Sequence, residues 1–299
     1  MKKYLKPIGQ WSNTFLKFFK SSEMSLSSIA VAYYLLLSLF PMLLIIGNAL
    51  PFFHINVGTV LDFLSRNLPK QLYDSLATII ENILNNPNTS LLWLSILAGL
   101  WTFSRALAAL QMSMNKSYEV SNHRDFIVSR IVGMASGVAI FLFLYLSIAL
   151  STFGQIILEN VHRTFPFDDG LYQTLHNMTL PAVATATFLS LMLLYYLLPN
   201  VKIKKLRYTL PGTIFSTLIL VFFINLIAKY VNFALRQVND FKVIGSLVIF
   251  ALMIWFIFIA RILITGSILN ATYQSMREGK IETRRGEIVE IIKDIRKDN

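Results

Sequence analysis

Cysteine is missing from all 299 residues. That absence excludes disulfides, thiolate metal sites, covalent haem attachment and cysteine nucleophiles together. Charge is scarce as well: 14% of the residues are Asp, Glu, Lys or Arg, against 55% that are apolar, 23 Phe among them. A soluble domain carries about a quarter charged residues, so this chain reads as one polytopic membrane domain. Histidine is limited to His54, His123, His162 and His176, which fall on expected loops or boundaries and form no HxHxD or HExxH spacing. There is no glycine-rich phosphate cradle and no Ser-His-Asp arrangement, and Asp168-Asp169 before Gly170 reads as a solvated turn. Phosphodiester hydrolysis commonly needs a metal cluster or an acid-base pair in a wet cleft. An enzyme is therefore not expected, and neither is a metal or a cofactor.

What the sequence has is long apolar runs. Leu26 to Phe53 is twenty-eight residues without a charged side chain, and about twenty apolar helical residues cross a hydrocarbon core. Further spans are expected at about 90–112, 127–157, 178–198, 210–235 and 243–272. The fold class is all-α: six transmembrane helices over 26–274, with amphipathic interfacial and extracytoplasmic helices, and a charged tail over 275–299. The first run begins too far from the start and is too long for a cleaved signal peptide. Pro41 lies in mid-span, where it removes a backbone donor and clashes with the carbonyl four residues back. A bend or loosening is expected around Leu37 to Pro41, either as a hinge or as a packing kink.

Ahead of the first span, residues 1–25 repeat apolar side chains at Leu5, Ile8, Trp11, Phe15 and Phe19, with Lys2, Lys3, Lys6, Lys17 and Lys20 between them. This pattern predicts an amphipathic leader helix, lying in the headgroup region or capping the loops on its side. Between 55 and 89 the chain is too polar to cross but periodic, which predicts two short amphipathic helices broken near Pro69. Gly133 and Gly137, four apart in the third span, allow close helix packing.

Nineteen of the 27 Lys and Arg fall in the leader, around 116–130, at Lys202, Lys204, Lys205 and Arg207, and in the tail. Arg66, Lys70, Arg163, Arg236 and Lys242 occupy the opposite loops, and Arg105, Lys229 and Arg261 lie in the spans. A bias of this size predicts a cell-membrane protein with both termini cytoplasmic. The net charge of +11, so distributed, points to anionic lipids of the cytoplasmic leaflet as partners and not to nucleic acid.

Several separated motifs carry a resemblance: Ala32-Tyr33-Tyr34-Leu35-Leu36-Leu37-Ser38-Leu39-Phe40-Pro41, Trp101 with Ser104-Arg105, Tyr196-Leu197-Leu198-Pro199-Asn200, Leu210-Pro211-Gly212, Gly245-Ser246-Leu247, Trp255, and Gly266 to Asn270. From about residue 10 to 275 the chain resembles the YihY/BrkB family of integral membrane proteins. The resemblance implies a six-helix inner-membrane protein; members of that family have been labelled ribonuclease BN or connected with envelope lipids, transport or serum resistance. This chain departs from the family pattern in having Ile244 where a Tyr is usual and Ile268 where an acidic residue is usual. A proton-coupled or ion-pairing role for that carboxylate is thus put in doubt.

Arginine in hydrocarbon is costly, so Arg105 and Arg261 either snorkel to an interface, line a polar cavity that binds a phosphate or carboxylate, or pair with backbone carbonyls and asparagines. Tyr33, Tyr34, Asn225 and Asn270 are the other candidate binding residues, and Pro41 the candidate hinge. Asn48, Asn225 and Asn270 are expected to bond across helices. Two functions follow: a transporter or flippase-like protein for an anionic or amphiphilic envelope component, or a non-catalytic scaffold that organises the membrane or envelope.

Overall fold

A computed structural model describes residues 2–49, 88–120, 168–237 and 241–283, with isolated positions between 58 and 81. The expected span at 127–157, with Gly133 and Gly137, lies outside the described residues. So do most of 55–89 and the tail beyond 283. Six α-helices are described: α1 (Lys2–Ser21), α2 (Met24–Ala49), α3 (Thr89–Ser117), α4 (Asp169–Leu197), α5 (Leu210–Gln237) and α6 (Phe241–Glu278). A 3-10 turn, Leu206–Thr209, precedes α5. Among the described residues there is no strand, only an isolated antiparallel bridge between Val201 and Thr283.

Among the described residues, four helical stretches are long and apolar enough to cross a membrane: Met24–Ile45, Thr89–Ser117, Leu206–Phe223 and Ile249–Glu278, with Pro181–Leu197 a shorter apolar helix. The distribution of side chains agrees. Ser28, Ser113, Ser190, Thr213, Ser216, Ser267, Asn270 and Gln274 are buried, whereas Phe40, Leu43, Trp93, Leu97, Leu218 and Phe222 are exposed. A soluble core shows the opposite. Small polar residues between helices and large apolar ones outside suit hydrocarbon as the solvent, because lipid does not drive leucines inward and a hydroxyl must find its partner within the protein. The fold is an all-α membrane helix bundle.

The helices outrun the apolar stretches that announce them. α4 begins at Asp169, ahead of the run opening at Met178. Acidic side chains near its first turn favour the positive end of the helix dipole, so polar composition there does not end the helix. α6 likewise continues through Arg277 to Glu278, its cation in the last turn where the dipole favours it.

The chain divides into two compact units, one of residues 1–24, 110–221 and 261–299, the other of 25–109 and 222–260. In the second, α2 is helical without interruption through Pro41, and Pro41 is buried. The Asn48 side chain donates to Leu44 O at 2.9 Å and accepts from the Asn88 N–H at 3.0 Å. Asn88 in turn accepts from Leu91 N at 2.9 Å, capping α3. Asn48 thus bonds across helices as its type predicts. Farther along, Phe223 of α5 meets Phe258 of α6 with centroids 4.6 Å apart, and Trp255 stacks beside Phe258.

In the first unit, α1 is fastened to the end of α3 by a reciprocal pair of contacts. Lys17 of α1 pairs with Glu119, just past α3, while Lys116 of α3 pairs with Glu23, just past α1. Both glutamates have left-handed backbone, with φ of 46° and 53°. Val120 N bonds back to Asn115 O at 3.1 Å, the wrap that ends a helix on a left-handed residue. Ser21 Oγ donates to Lys116 O at 2.7 Å, and Phe18 is buried at 4% exposure. The predicted aromatic side of the leader points elsewhere: Trp11, Phe15 and Phe19 form a ladder with centroids 5.4 and 6.2 Å apart, and Trp11 and Phe19 are exposed.

A Cβ added at Gly99 would lie 3.4 Å from Ile45 Cδ1 and 3.5 Å from Pro41 Cβ, ordinary contact distances. Gly99→Ala is therefore expected to leave thermal stability in detergent unchanged or raise it by up to about 1 kcal/mol through helix propensity. A marked loss would mean that α2 and α3 approach more closely at Pro41 than described.

Candidate functional site

Among the described residues of the first unit, a buried polar arrangement lies where α4, α5 and α6 meet. Tyr195, buried at 1% exposure, donates its hydroxyl to Leu263 O at 3.0 Å and lies 2.6 Å from Ser216 Oγ. Opposite the hydroxyl is Gly266: a Cβ there would overlap the Tyr195 oxygen and crowd Ser216 Oγ. One helical turn on, Asn270 Oδ1 accepts from the Gly212 N–H at 2.7 Å. A Cβ on Gly212 would overlap the Gly266 carbonyl. Gly212 stands in the first turn of α5, where the amides have no intrahelical acceptor, so Asn270 supplies one that lipid does not. The glycines are there for closeness, since neither is in the left-handed region.

Beside this knot the loop leaving α4 is held by side-chain amides. Gln111 Nε2 of α3 donates to Leu198 O at 2.7 Å, and Asn115 Oδ1 accepts from Asn200 N at 2.7 Å. Gln274 Nε2 of α6 donates to Lys202 O at 3.1 Å. The Leu198-Pro199-Asn200 motif thus has carbonyls and amides free for capture, because the helix has ended and proline donates nothing. Ser113 Oγ, Asn200 Oδ1, Thr217 Oγ1, Ser267 Oγ, Asn270 Nδ2 and Gln274 Oε1 are buried without a protein partner. Such atoms in an apolar slab cost about 1–3 kcal/mol each unless ordered water meets them.

Outside this interior, Val201 bridges to Thr283, Lys202 N bonds to Glu282 O at 2.9 Å, and the Glu282 carboxylate accepts from Lys202 Nζ at 3.1 Å. That hydrogen bond, the Lys202 charge and the nearby Lys204 hold Glu282 below the ordinary glutamate range. Tyr118, in the turn after α3, is pushed above the ordinary phenol range by its burial. A cleft of about 350 Å3 between Gln10, Asn13 and Thr14 of α1 and Ser275 and Met276 of α6 opens on the surface.

The residues singled out from the sequence fall in several places. Arg105 lies on α3 within an exposed stripe formed by Trp93, Leu97, Trp101 and Met112, its guanidinium 5.3 Å from the Trp101 ring centroid. Arg261 is exposed on α6 and belongs to the other compact unit. Among the described residues no carboxylate pairs with either. Tyr33 is 51% exposed and meets Tyr34 edge-on at 5.4 Å. Asn270 is fully buried in the knot, and the Asn225 side chain lies outside the described residues. Ile268, at the position where the family pattern usually has an acidic residue, is fully buried.

Tyr195, Ser216 and Gln274 were not singled out in the sequence, although Gly212 and Gly266 stood in quoted motifs. A usable signal was the recurrence of Gly, Ser and Asn at 266, 267 and 270 inside an otherwise apolar run, the composition of a close helix interface. Chemically, the knot contains hydroxyls and amides aimed at carbonyls. Among the described residues no group of three or more His, Asp or Glu is gathered for a metal.

Gly212→Ala and Gly266→Ala are expected to destabilise by about 3 kcal/mol or more, because backbone and a buried tyrosine must yield. Tyr195→Phe, which keeps the volume, is expected to cost about 0.6–2 kcal/mol. Unfolding in mixed detergent measures all three, and a neutral Gly212→Ala would refute the close approach.

Glu282 generates a pH prediction. Its lowered folded value means that its contribution is present above the ordinary glutamate range and is lost as pH falls through the folded value. Hydrogen exchange at Lys202 N, taken relative to the intrinsic rate of an unprotected amide at each pH, is expected to be slow at neutral pH and faster in acid. Glu282→Gln should show the faster exchange at neutral pH too, and a pH-independent ratio of parent to variant would exclude the carboxylate.

A curated relative, the ribonuclease-like protein YfkH of Bacillus subtilis (strain 168), is 28% identical over 247 residues, covering 82% of this chain and 88% of the relative. No solved structure matches. The family model described as virulence factor BrkB matches residues 15–288, spanning the knot, the amide-held loop and both arginines, and the chain belongs to the BrkB family.

Proposed function

We propose that this membrane protein is a transporter, flippase-like in action, for an anionic amphiphile of the cell envelope. The observation that carries the reading is Arg105, exposed beside Trp101 in the apolar outer stripe of α3. A guanidinium on a lipid-facing stripe offers a phosphate or carboxylate headgroup a charge-assisted donor fork at a depth where bare hydrocarbon offers none. The acyl chains need not leave the bilayer. Arg261, exposed on α6, supplies a second such donor, and Tyr33 a hydroxyl on an exposed face. Asn270, engaged on Gly212, serves packing in this reading. In this reading both termini are cytoplasmic, the membrane is the plasma membrane and anionic lipid is the partner, a view supported by the bias of basic residues among the loops.

The relative's ribonuclease-like name does not extend to this chain in our reading. The buried hydroxyls of Tyr195 and Ser216 face each other and carbonyls, with no carboxylate or imidazole among the described residues to take a proton from them. The scaffold reading has one observation of its own, the docked leader with its exposed Trp11-Phe15-Phe19 ladder, which suits a membrane-organising surface.

The test is leaflet exchange of a fluorescent anionic phospholipid in proteoliposomes, followed by chemical quenching of the outer leaflet. The parent protein should accelerate exchange over protein-free vesicles. The Arg105→Gln, Arg261→Gln double variant should be about tenfold slower or worse, as expected on losing a charge-assisted bond of roughly 1.5 kcal/mol. No acceleration by the parent, together with leader-dependent vesicle binding, would replace transport with the scaffold.

A further inference from the structure

Where α5 starts and α6 ends, two arginines are mounted on one aromatic pair. Arg207, in the 3-10 turn, stands with Cζ 5.5 Å from the centroid of Tyr208. Arg277, in the last turn of α6, stands with Cζ 5.5 Å from the centroid of Tyr273. Tyr208 and Tyr273 meet edge to face with centroids 6.0 Å apart. Tyr208 is buried at 4% exposure, which fixes the mount, while both arginines are exposed. The Gly212–Asn270 bond sets these two helix ends beside each other, so each guanidinium projects past the same end of the α5–α6 contact. A guanidinium resting on a ring keeps its edge donors available while losing much of its rotational freedom before any ligand arrives.

The neighbouring charges sort themselves differently. Lys202 pairs with Glu282, and Lys204 approaches Glu282 at 3.7 Å and Glu278 at 4.0 Å. Among the described residues no carboxylate pairs with Arg207 or Arg277. The acidic side chains thus neutralise Lys202 and Lys204, and leave the two ring-mounted arginines, with the exposed Lys205 between Lys204 and Arg207 in sequence, for something else. Next to them in sequence, Leu206 and Met276 are exposed at 53% and 42%. Arg207 and Arg277 also stand at the ends of two of the apolar stretches long enough to cross the membrane, Leu206–Phe223 and Ile249–Glu278. That is the depth of the headgroups, on the face to which the basic loops assign the cytoplasm.

We propose that Arg207 and Arg277, preset on the Tyr208–Tyr273 pair, form a binding site for a phosphate oxyanion, carried by a lipid headgroup whose glycerol and upper acyl carbons lie on Leu206 and Met276. A soluble phosphate ester shares the oxyanion and lacks the apolar part. The site uses neither Arg105 nor Arg261 and holds whether or not the protein moves lipid, so it goes beyond the transport reading.

The experiment is native mass spectrometry of the full chain in detergent, titrated with phosphatidic acid, with phosphatidylcholine, and with glycerol phosphate. The parent is expected to retain one phosphatidic acid at least tenfold more tightly than phosphatidylcholine. Arg207→Gln with Arg277→Gln should remove that preference, and the two lysine replacements should weaken it several-fold by losing the fork. Lys202→Gln with Lys204→Gln, whose charges are already paired, should change it less than twofold. Glycerol phosphate that displaces the lipid at equal affinity would support the oxyanion site and overturn the lipid as its source; failure to displace supports the lipid. Melting temperature is recorded for every variant, and Tyr273→Phe, which keeps the ring, should bind like the parent. Equal lipid preference in the folded Gln double variant would overturn the proposal. An equal loss in the lysine pair would do the same, since it would show a diffuse basic loop in place of a built site.

Discussion

The backbone approach of α5 to α6 at Gly212 and Gly266 is the constraint on which the first unit depends. Two main chains come so near that neither position has room for a methyl group, and the space left beside them is filled by the Tyr195 hydroxyl, Ser216 and Asn270. In hydrocarbon there is no solvent-driven collapse to hold helices together. Contact must come from packing, and packing is densest where side chains are smallest. The polar groups follow from the same constraint, because the opening amides of α5 have to be satisfied inside the protein.

From this contact the rest of the unit takes its positions. The α4 exit loop is close enough to be gripped by Gln111, Asn115 and Gln274 because all three arise on helix ends gathered at one level. The segment after α6 then reaches Val201 and Lys202. Asn200, Asn270 and Gln274, which belong to this contact and the loop beside it, each keep a buried side-chain atom without a protein partner, a place where ordered water would offset the cost. The two arginines on their tyrosines lie at its margin.

Much of the fold was legible in the sequence for a simple reason. Membrane spans depend on one variable, the length of an apolar run, and Leu26 to Phe53 or Val243 to Thr272 states it openly. The ends were less legible: Asp169 opens α4 inside a polar stretch because helix termini tolerate acids that an insertion scale penalises. Partners were the least legible. Asn270 and Asn48 were expected to bond across helices and do, yet nothing in their spacing names Gly212 or Asn88 as the other side. Arg105 was recognisable as costly, but only its neighbours Trp101, Leu97 and Met112 on the helix surface show that it stands on an exposed stripe. Tyr195 escaped notice because Tyr195 and Tyr196 are adjacent and alike in sequence, and only packing distinguishes a fully buried ring from a partly exposed one.

The arginines of the spans also bear on biosynthesis. A helix enters the bilayer from the translocon on the strength of its summed side-chain transfer energies, and an arginine near mid-span sets this back by about 2.5–3.5 kcal/mol. The α6 stretch Ile249–Glu278 is more apolar than the α3 stretch Thr89–Ser117, so α6 has margin to absorb Arg261 whereas α3 has less for Arg105. α3 therefore depends more on already inserted neighbours, α2 foremost, whose Asn48 and Pro41 meet it at Asn88 and Gly99. Mutations that loosen α2 would on this argument appear first as failed insertion of the following helix, before any loss of the finished fold.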